Sequence, residues 1–183
     1  MQTAPLTPDR WDDFVDLFTR KGPRGGSGPV ECWCMWWRRR SGSGEANRAA
    51  MEELVRAGEE PGLLAYDGGR AVGWISVAPR EHYGHLSRSR RYAPPDPHPG
   101  VWSIACFQVD PRHRRRGVAR ALVDAAVAHA LARGAAAVEA FPHRGRPDYM
   151  GAATMFAAAG FRPVREAGPR TIVRYDAATA PLA

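Results

Sequence analysis

Apolar positions along this chain follow two periods, and the alternation between them predicts the order of its elements. Trp11, Phe14, Val15 and Phe18 fall at i, i+3, i+4 and i+7, which makes one face of a helix. Thr7, Pro8 and Asp9 read as its start, with Thr7 as cap, and Arg20, Lys21 and Gly22 as its end. Ala46, Ala50, Met51, Leu54 and Val55 mark a second helix from Glu45 to Ala57, stopped by Gly58. A short strand over Gln2–Pro5 precedes both. Leu63 to Tyr66 and Ala71 to Ala78, joined by Asp67-Gly68-Gly69, read as a β-hairpin. Val101 to Val109 is hydrophobic on both faces, which predicts a central strand.

The helical period then returns. Ala119, Leu122, Val123, Ala126, Val127 and Ala130 share one face of a helix running from Val118 to Arg133, with Gly134 as its stop. A strand over Ala135–Phe141 follows, then a helix over Tyr149–Ala159 capped by Gly160. A hairpin of Phe161–Val164 with Thr171–Tyr175 ends the pattern. Residues 79–100 carry Pro79, Pro94, Pro95, Pro97 and Pro99 and show neither period. They are expected as a long surface loop with one helical turn near Leu86. The order β-α-α-β-β-β-α-β-α-β-β implies an α/β fold, and the unit over 101–141 implies a right-handed parallel crossover.

At 183 residues, 44% of them hydrophobic and 25% charged, the chain is expected to be one soluble domain spanning 1–183. No stretch of about 18 apolar residues is present to cross a bilayer, and no signal peptide is visible, so a cytoplasmic location without membrane partners is expected. The net charge of +7 raises the question of nucleic acid. Its arginines are scattered along the chain, which argues against such a partner; Lys21 is the only lysine. Arg38–Arg40 and Arg88–Arg91 are the stretches that would supply phosphate contacts. Cys32, Cys34 and Cys106 suit no disulfide framework and no zinc site, so reduced thiols and no metal are expected.

The candidate chemistry lies between the central strand and the long helix. Val109-Asp110-Pro111-Arg112-His113-Arg114-Arg115-Arg116-Gly117-Val118-Ala119 is a basic, glycine-bearing turn that opens a helix. Unpaired amides and the positive helix end make such a turn a phosphate site. Gly117 and Ala119 leave room for a ligand to approach the backbone. Arg114, Arg115 and Arg116 supply guanidinium forks.

Val109, Pro111, Arg114, Gly117 and Ala119 also spell Val-x-Pro-x-x-Arg-x-x-Gly-x-Ala, which resembles the acetyl-CoA signature of the GNAT superfamily of N-acetyltransferases. Met155-Phe156-Ala157-Ala158-Ala159-Gly160-Phe161 resembles the family's aromatic-x-x-x-Gly-Phe ending. The resemblance implies a GNAT-like central mixed sheet of six to seven strands flanked by about four helices. It further implies that backbone around Phe107, Gln108 and Val109 pairs with pantetheine. Amides of Arg114, Arg115, Arg116, Gly117, Val118 and Ala119 would take the pyrophosphate. The implied activity is transfer of an acetyl group from acetyl-CoA to a primary amine of a small molecule, by direct attack in a ternary complex.

Two alternatives stay open: a catalytically impaired CoA- or ligand-binding protein, and an acetyltransferase for a nucleic-acid-linked amine such as aminoacyl-tRNA. A homodimer is also left open. The family's general-acid tyrosine usually fills the position of Phe156, which has no proton to give. Tyr149, seven residues earlier, is the candidate substitute. No base stands out: Ser103 occupies a position where some members carry glutamate, and Glu31, Glu81, His82 and Glu139 remain candidates. Cys106 reads as a small buried hydrophobe rather than an acylated nucleophile. The acceptor pocket is expected near the first two helices, with Glu31, Trp33, Trp36 and Trp37 as candidate substrate contacts.

Overall fold

The computed structural model describes residues 1–23, 28–39, 42–93 and 99–179. Seven strands form one sheet: β1 (Gln2–Pro5), β2 (Gly62–Asp67), β3 (Arg70–Pro79), β4 (Val101–Val109), β5 (Ala137–Ala140), β6 (Arg162–Ala167) and β7 (Arg170–Asp176). Their spatial order is β1-β2-β3-β4-β5-β7-β6. Among the described strands only β4 and β5 run parallel, over Val101–Ile104 and Ala137–Ala140. Beyond Ile104 the two strands part, and the edge of β4 from Ala105 to Val109 is left without β5. This splay positions the site.

Among the described residues five α-helices accompany the sheet: α1 (Trp11–Thr19), α2 (Gly44–Arg56), α3 (Gly84–Ser87), α4 (Val118–Ala132) and α5 (Ala153–Ala158). The face covered by α4 packs Leu63, Ile75, Val77, Ile104 and Phe107 against Leu122, Val123, Ala126 and Phe156. The opposite face packs Leu64, Trp74 and Cys106 against Phe14, Phe18, Trp33 and Met51. The approach of α4 to β3 depends on Gly73, where a Cβ would lie 2.6 Å from Val118 Cγ1 and 3.0 Å from Leu122 Cδ1. Across from the Ser76–Val77 step, Ala105 has no partner in β3, which makes a β-bulge in β4. The bulge leaves Ile104 and Phe107 on the α4 face.

Several sequence expectations are corrected. Thr7 does not cap a helix: its hydroxyl donates to Asp9, a 3-10 turn spans Pro8–Arg10, and α1 starts at Trp11. In α2 the cap is Ser43, whose Oγ accepts from the Ala46 amide; Ala46 itself is exposed, and Asn47 is buried instead. The segment after β3 has the expected helical turn at Leu86, as α3, and exposes Glu81, His82, Arg88 and Arg90, but it is anchored from within. Tyr83 and Leu86 are fully buried, and with Tyr92 they pack on Phe141, Met150 and Ile172. Burying each of these side chains contributes roughly 1.5–3 kcal/mol, which anchors the short helical turns of the segment. Pro94, Pro95 and Pro97 lie outside the described residues. The last helix is short: Ala152 is extended, and Tyr149 lies in the loop before α5.

Candidate active site

The turn after β4 is built by one buried carboxylate. Asp110 is 3% exposed, accepts the Arg112 amide at 2.9 Å and pairs with Arg20 at 2.8 Å. Burial alone would raise its pKa, but the Arg20 guanidinium and the Arg112 amide outweigh it and hold the group below its ordinary 3.8. Its stabilising contribution is therefore complete above that value and lost as pH falls below it. Asp110→Asn should lose roughly 2 kcal/mol at neutral pH. Denaturant titrations between pH 3 and 7 check this, since the variant should also lose part of the wild type's decline on the acid side.

Arg115 (φ 59°) and Gly117 (φ 80°) both adopt left-handed backbone before α4 begins. No side chain caps the N-terminus of α4, so the amides of its first turn stay open to a ligand. Arg114, Arg115, Arg116 and Gly117 are exposed around it, and Val118 is buried beneath it. A phosphate approaching here meets free amides, the positive helix end and three guanidiniums.

A cavity of about 520 Å³ runs from this turn along the free edge of β4. One wall is Phe107, Gln108, Val109, Arg114 and Ala119; the other comes from the loop before α5, including Asp148, Tyr149, Gly151 and Met155. The second wall was not legible as such in the sequence. Asp148 fixes it: its carboxylate takes two bonds from Arg170, at 3.2 and 2.5 Å, and accepts the Met150 amide at 2.9 Å. Gly151 (φ 90°) packs so closely that a Cβ would lie 3.1 Å from the Phe107 ring. At the inner end the Phe107 amide donates to the Tyr149 carbonyl at 2.6 Å. The Tyr149 side chain is 45% exposed, with the Arg170 guanidinium 5.7 Å from its ring centre. Burial of its inner part raises the phenol pKa above the usual 10.0, against the opposing pull of Arg170. The phenol therefore keeps its proton at neutral pH.

A second cavity, of about 250 Å³, adjoins the first at Gln108 and Arg114 and is otherwise lined by Arg20, Gly22, Gly28, Pro29 and Pro111. Neither cavity is lined by Glu31, Trp33, Trp36 or Trp37. The three indoles disperse: Trp33 stacks on Phe18 in the core, Trp37 is buried against Tyr92, and Trp36 is exposed beside His85. Glu31 is exposed next to the start of α2.

The base candidates fare alike. Glu139 is fully buried and bound by Arg80 and Arg174, both at 2.8 Å. Ser103 lies beside it in the paired part of the sheet. Glu81 and His82 follow the end of β3, which faces Trp102. That is five residues from Phe107, or roughly 16 Å along a strand. Phe156 is fully buried between Phe107 and Phe161. Arg38 is buried under Tyr83 and donates to the Pro61 carbonyl, so it offers no phosphate contact; Arg40 lies outside the described residues. No group of three or more metal-ligating side chains occurs among the described residues.

The model of the acetyltransferase (GNAT) family matches residues 30–161. The chain belongs to that family. The protein is thus an acyltransferase, and its seven-stranded mixed sheet is the family's fold. Among solved structures, it is similar to the ribosomal-protein-alanine N-acetyltransferase from Brucella melitensis, at 16% identity and a TM-score of 0.55 over 95% of this chain and 97% of that one. The GNAT domain of S. lividans PAT is similar at 17% identity and a TM-score of 0.59, over 95% and 89%. The PaiA N-acetyltransferase from Thermoplasma acidophilum, in complex with coenzyme A, is similar at 10% identity and a TM-score of 0.55, over 96% and 98%. A search of curated proteins found no match in sequence. Among the described residues no helix of this acetyltransferase is long and apolar enough to cross a membrane.

Proposed function

We propose that the protein transfers the acetyl group of acetyl-CoA to the primary amine of a small molecule, by direct attack in a ternary complex. The observation that carries this reading is the continuity of one cleft. It begins at the left-handed phosphate turn, follows the free edge of β4 and ends at the Phe107 amide. Backbone from Phe107 to Val109 has no strand beside it and can pair with the pantetheine amides once the Phe107 amide exchanges its Tyr149 partner, and the amides from Arg114 to Ala119 can take the pyrophosphate. The coenzyme A complex of the Thermoplasma neighbour supports the same donor.

The Phe107 amide is already aimed into the splay and satisfied by the Tyr149 carbonyl. An acyl oxygen entering there exchanges one acceptor for another, so no buried donor is stranded at any stage. Held by that N–H, the acyl carbonyl is polarised toward the negatively charged transition state. Tyr149, protonated at neutral pH, gives its proton to the departing thiolate. Asp148, the acidic side chain in the cleft wall, is taken up by Arg170 and the Met150 amide, so water accepts the amine's proton. The acceptor enters through the smaller cavity, whose Arg20 and Arg114 disfavour polycations and favour a compact amine.

The test is incubation with acetyl-CoA and a library of small amines, following release of free thiol. Release with at least one amine, and an acetylated product of matching mass, is expected. Coenzyme A binding without turnover on any amine would overturn the enzymatic reading in favour of a ligand-binding role.

A further inference from the structure

The three cysteines, separate in the sequence reading, converge behind β4. Cys34 Sγ and Cys106 Sγ lie 2.9 Å apart in the core between α1 and the sheet. The Trp74 indole donates to Cys34 Sγ at 3.0 Å. Cys32 is half-buried and lies two residues before Cys34 in the same turn, its carbonyl accepting the Met35 amide at 2.8 Å. The turn that delivers Cys34 is unusual. Trp33 (φ 44°) and Cys34 (φ 56°) are successive non-glycine residues in left-handed backbone, where side chains other than glycine's are rarely found. The proposed acetyl transfer uses none of these sulfurs: Cys106 packs with Trp74 and Phe14, and neither cavity is lined by a cysteine.

We propose that Cys34 and Cys106 are a covalent modification site, a dithiol that a hydroperoxide closes to a disulfide through Cys32. The Cys32 sulfur is the one nearest solvent. It attacks the peroxide O–O bond and becomes a sulfenic acid, while the peroxide is reduced to its alcohol, or to water for hydrogen peroxide. Cys106 attacks the Cys32 sulfur, the S–O bond breaks, and hydroxide leaves with the Cys106 proton as water. Cys34 then attacks Cys106, and Cys32 departs with the Cys34 proton as a free thiol. In sum, two thiols and one hydroperoxide give one disulfide, one alcohol and one water. The relay stops at Cys34–Cys106 because those sulfurs are already in contact. Burial raises the Cys32 thiol pKa, and that of Cys34 still more, so closure is slow, on the order of hours.

The test uses the full chain in its folded state, treated with millimolar hydrogen peroxide, then alkylated under denaturing conditions and mapped by mass spectrometry. Expected are a Cys34–Cys106 linked peptide, an alkylated Cys32 and full reversal by dithiothreitol. The link joins residues 72 apart and should raise the unfolding midpoint by roughly 5–10 °C, again reversibly. Cys32→Ser should slow closure at least tenfold, and Cys106→Ala should abolish both the link and the thermal shift. Should Cys106→Ala not fold, Cys34→Ala serves the same purpose. Three alkylatable thiols after exposure would overturn the proposal. So would a sulfinic acid at Cys32 with the other two still reduced, or a link only between molecules.

Discussion

Gly117→Val should remove acetyl-CoA binding, by at least 100-fold in isothermal titration, while leaving the fold intact. Gly117 holds φ 80°, and a β-branched residue there costs roughly 1–2 kcal/mol in backbone strain alone. The larger loss comes from the ligand side. A Cβ at this position meets no protein atom within 4 Å, so it projects into the space that the pyrophosphate reading assigns to the ligand. The same openness explains why the variant should fold, with circular dichroism and an unfolding midpoint within a few degrees of wild type. Unchanged affinity would remove the phosphate assignment of the whole turn from Arg114 to Ala119.

Tyr149→Phe should lower kcat by roughly 10²-fold, the contribution typical of a positioned acid, with KM for acetyl-CoA changed little. The Tyr149 carbonyl that satisfies Phe107 belongs to the backbone and survives the substitution, so cleft geometry is preserved. The wild-type rate should fall only as pH rises through the raised phenol value, above 10.0, and the variant should lack that limb. A solvent deuterium isotope effect on kcat, present in wild type and absent in the variant, gives the same answer at neutral pH. An unaltered kcat would reduce Tyr149 to a wall of the cleft and leave the thiolate to be protonated by water.

The element order was readable because it rests on local pattern, helical spacing in α1, α2 and α4 and apolar runs in β2, β3 and β4. The departures have particular causes. Tyr149-Met150-Gly151-Ala152 looks like helix by composition, yet Gly151 is left-handed and Asp148 turns the chain back on itself through its bonds to Arg170 and Met150. Arg170 lies 22 residues away, so no local pattern announces it. Tyr83, Leu86 and Tyr92 were masked by prolines and arginines, although their spacing fits a segment buried on one side. Glu139 stood out as a charge in an apolar strand and invited a catalytic reading. Its partners, Arg80 and Arg174, lie 59 and 35 residues off and make it structural. The tryptophan-rich stretch after Glu31 has neither period, because Trp33 and Cys34 reverse the backbone twist and send alternate indoles to different clusters.

The unpaired Ala105 also sets a reading frame for β4. Upstream of it, even-numbered side chains such as Trp102 and Ile104 face α4; downstream, odd-numbered Phe107 and Val109 do. Removing that one residue would close the bulge and keep both halves in phase, with Ile104 and Phe107 on the α4 face and Cys106 on the α1 face; a deletion elsewhere in the strand would not. Substitutions along β4 change one contact each, but an insertion or deletion away from the bulge would turn one half of the strand over relative to the other. Length, more than composition, is what this strand has to keep.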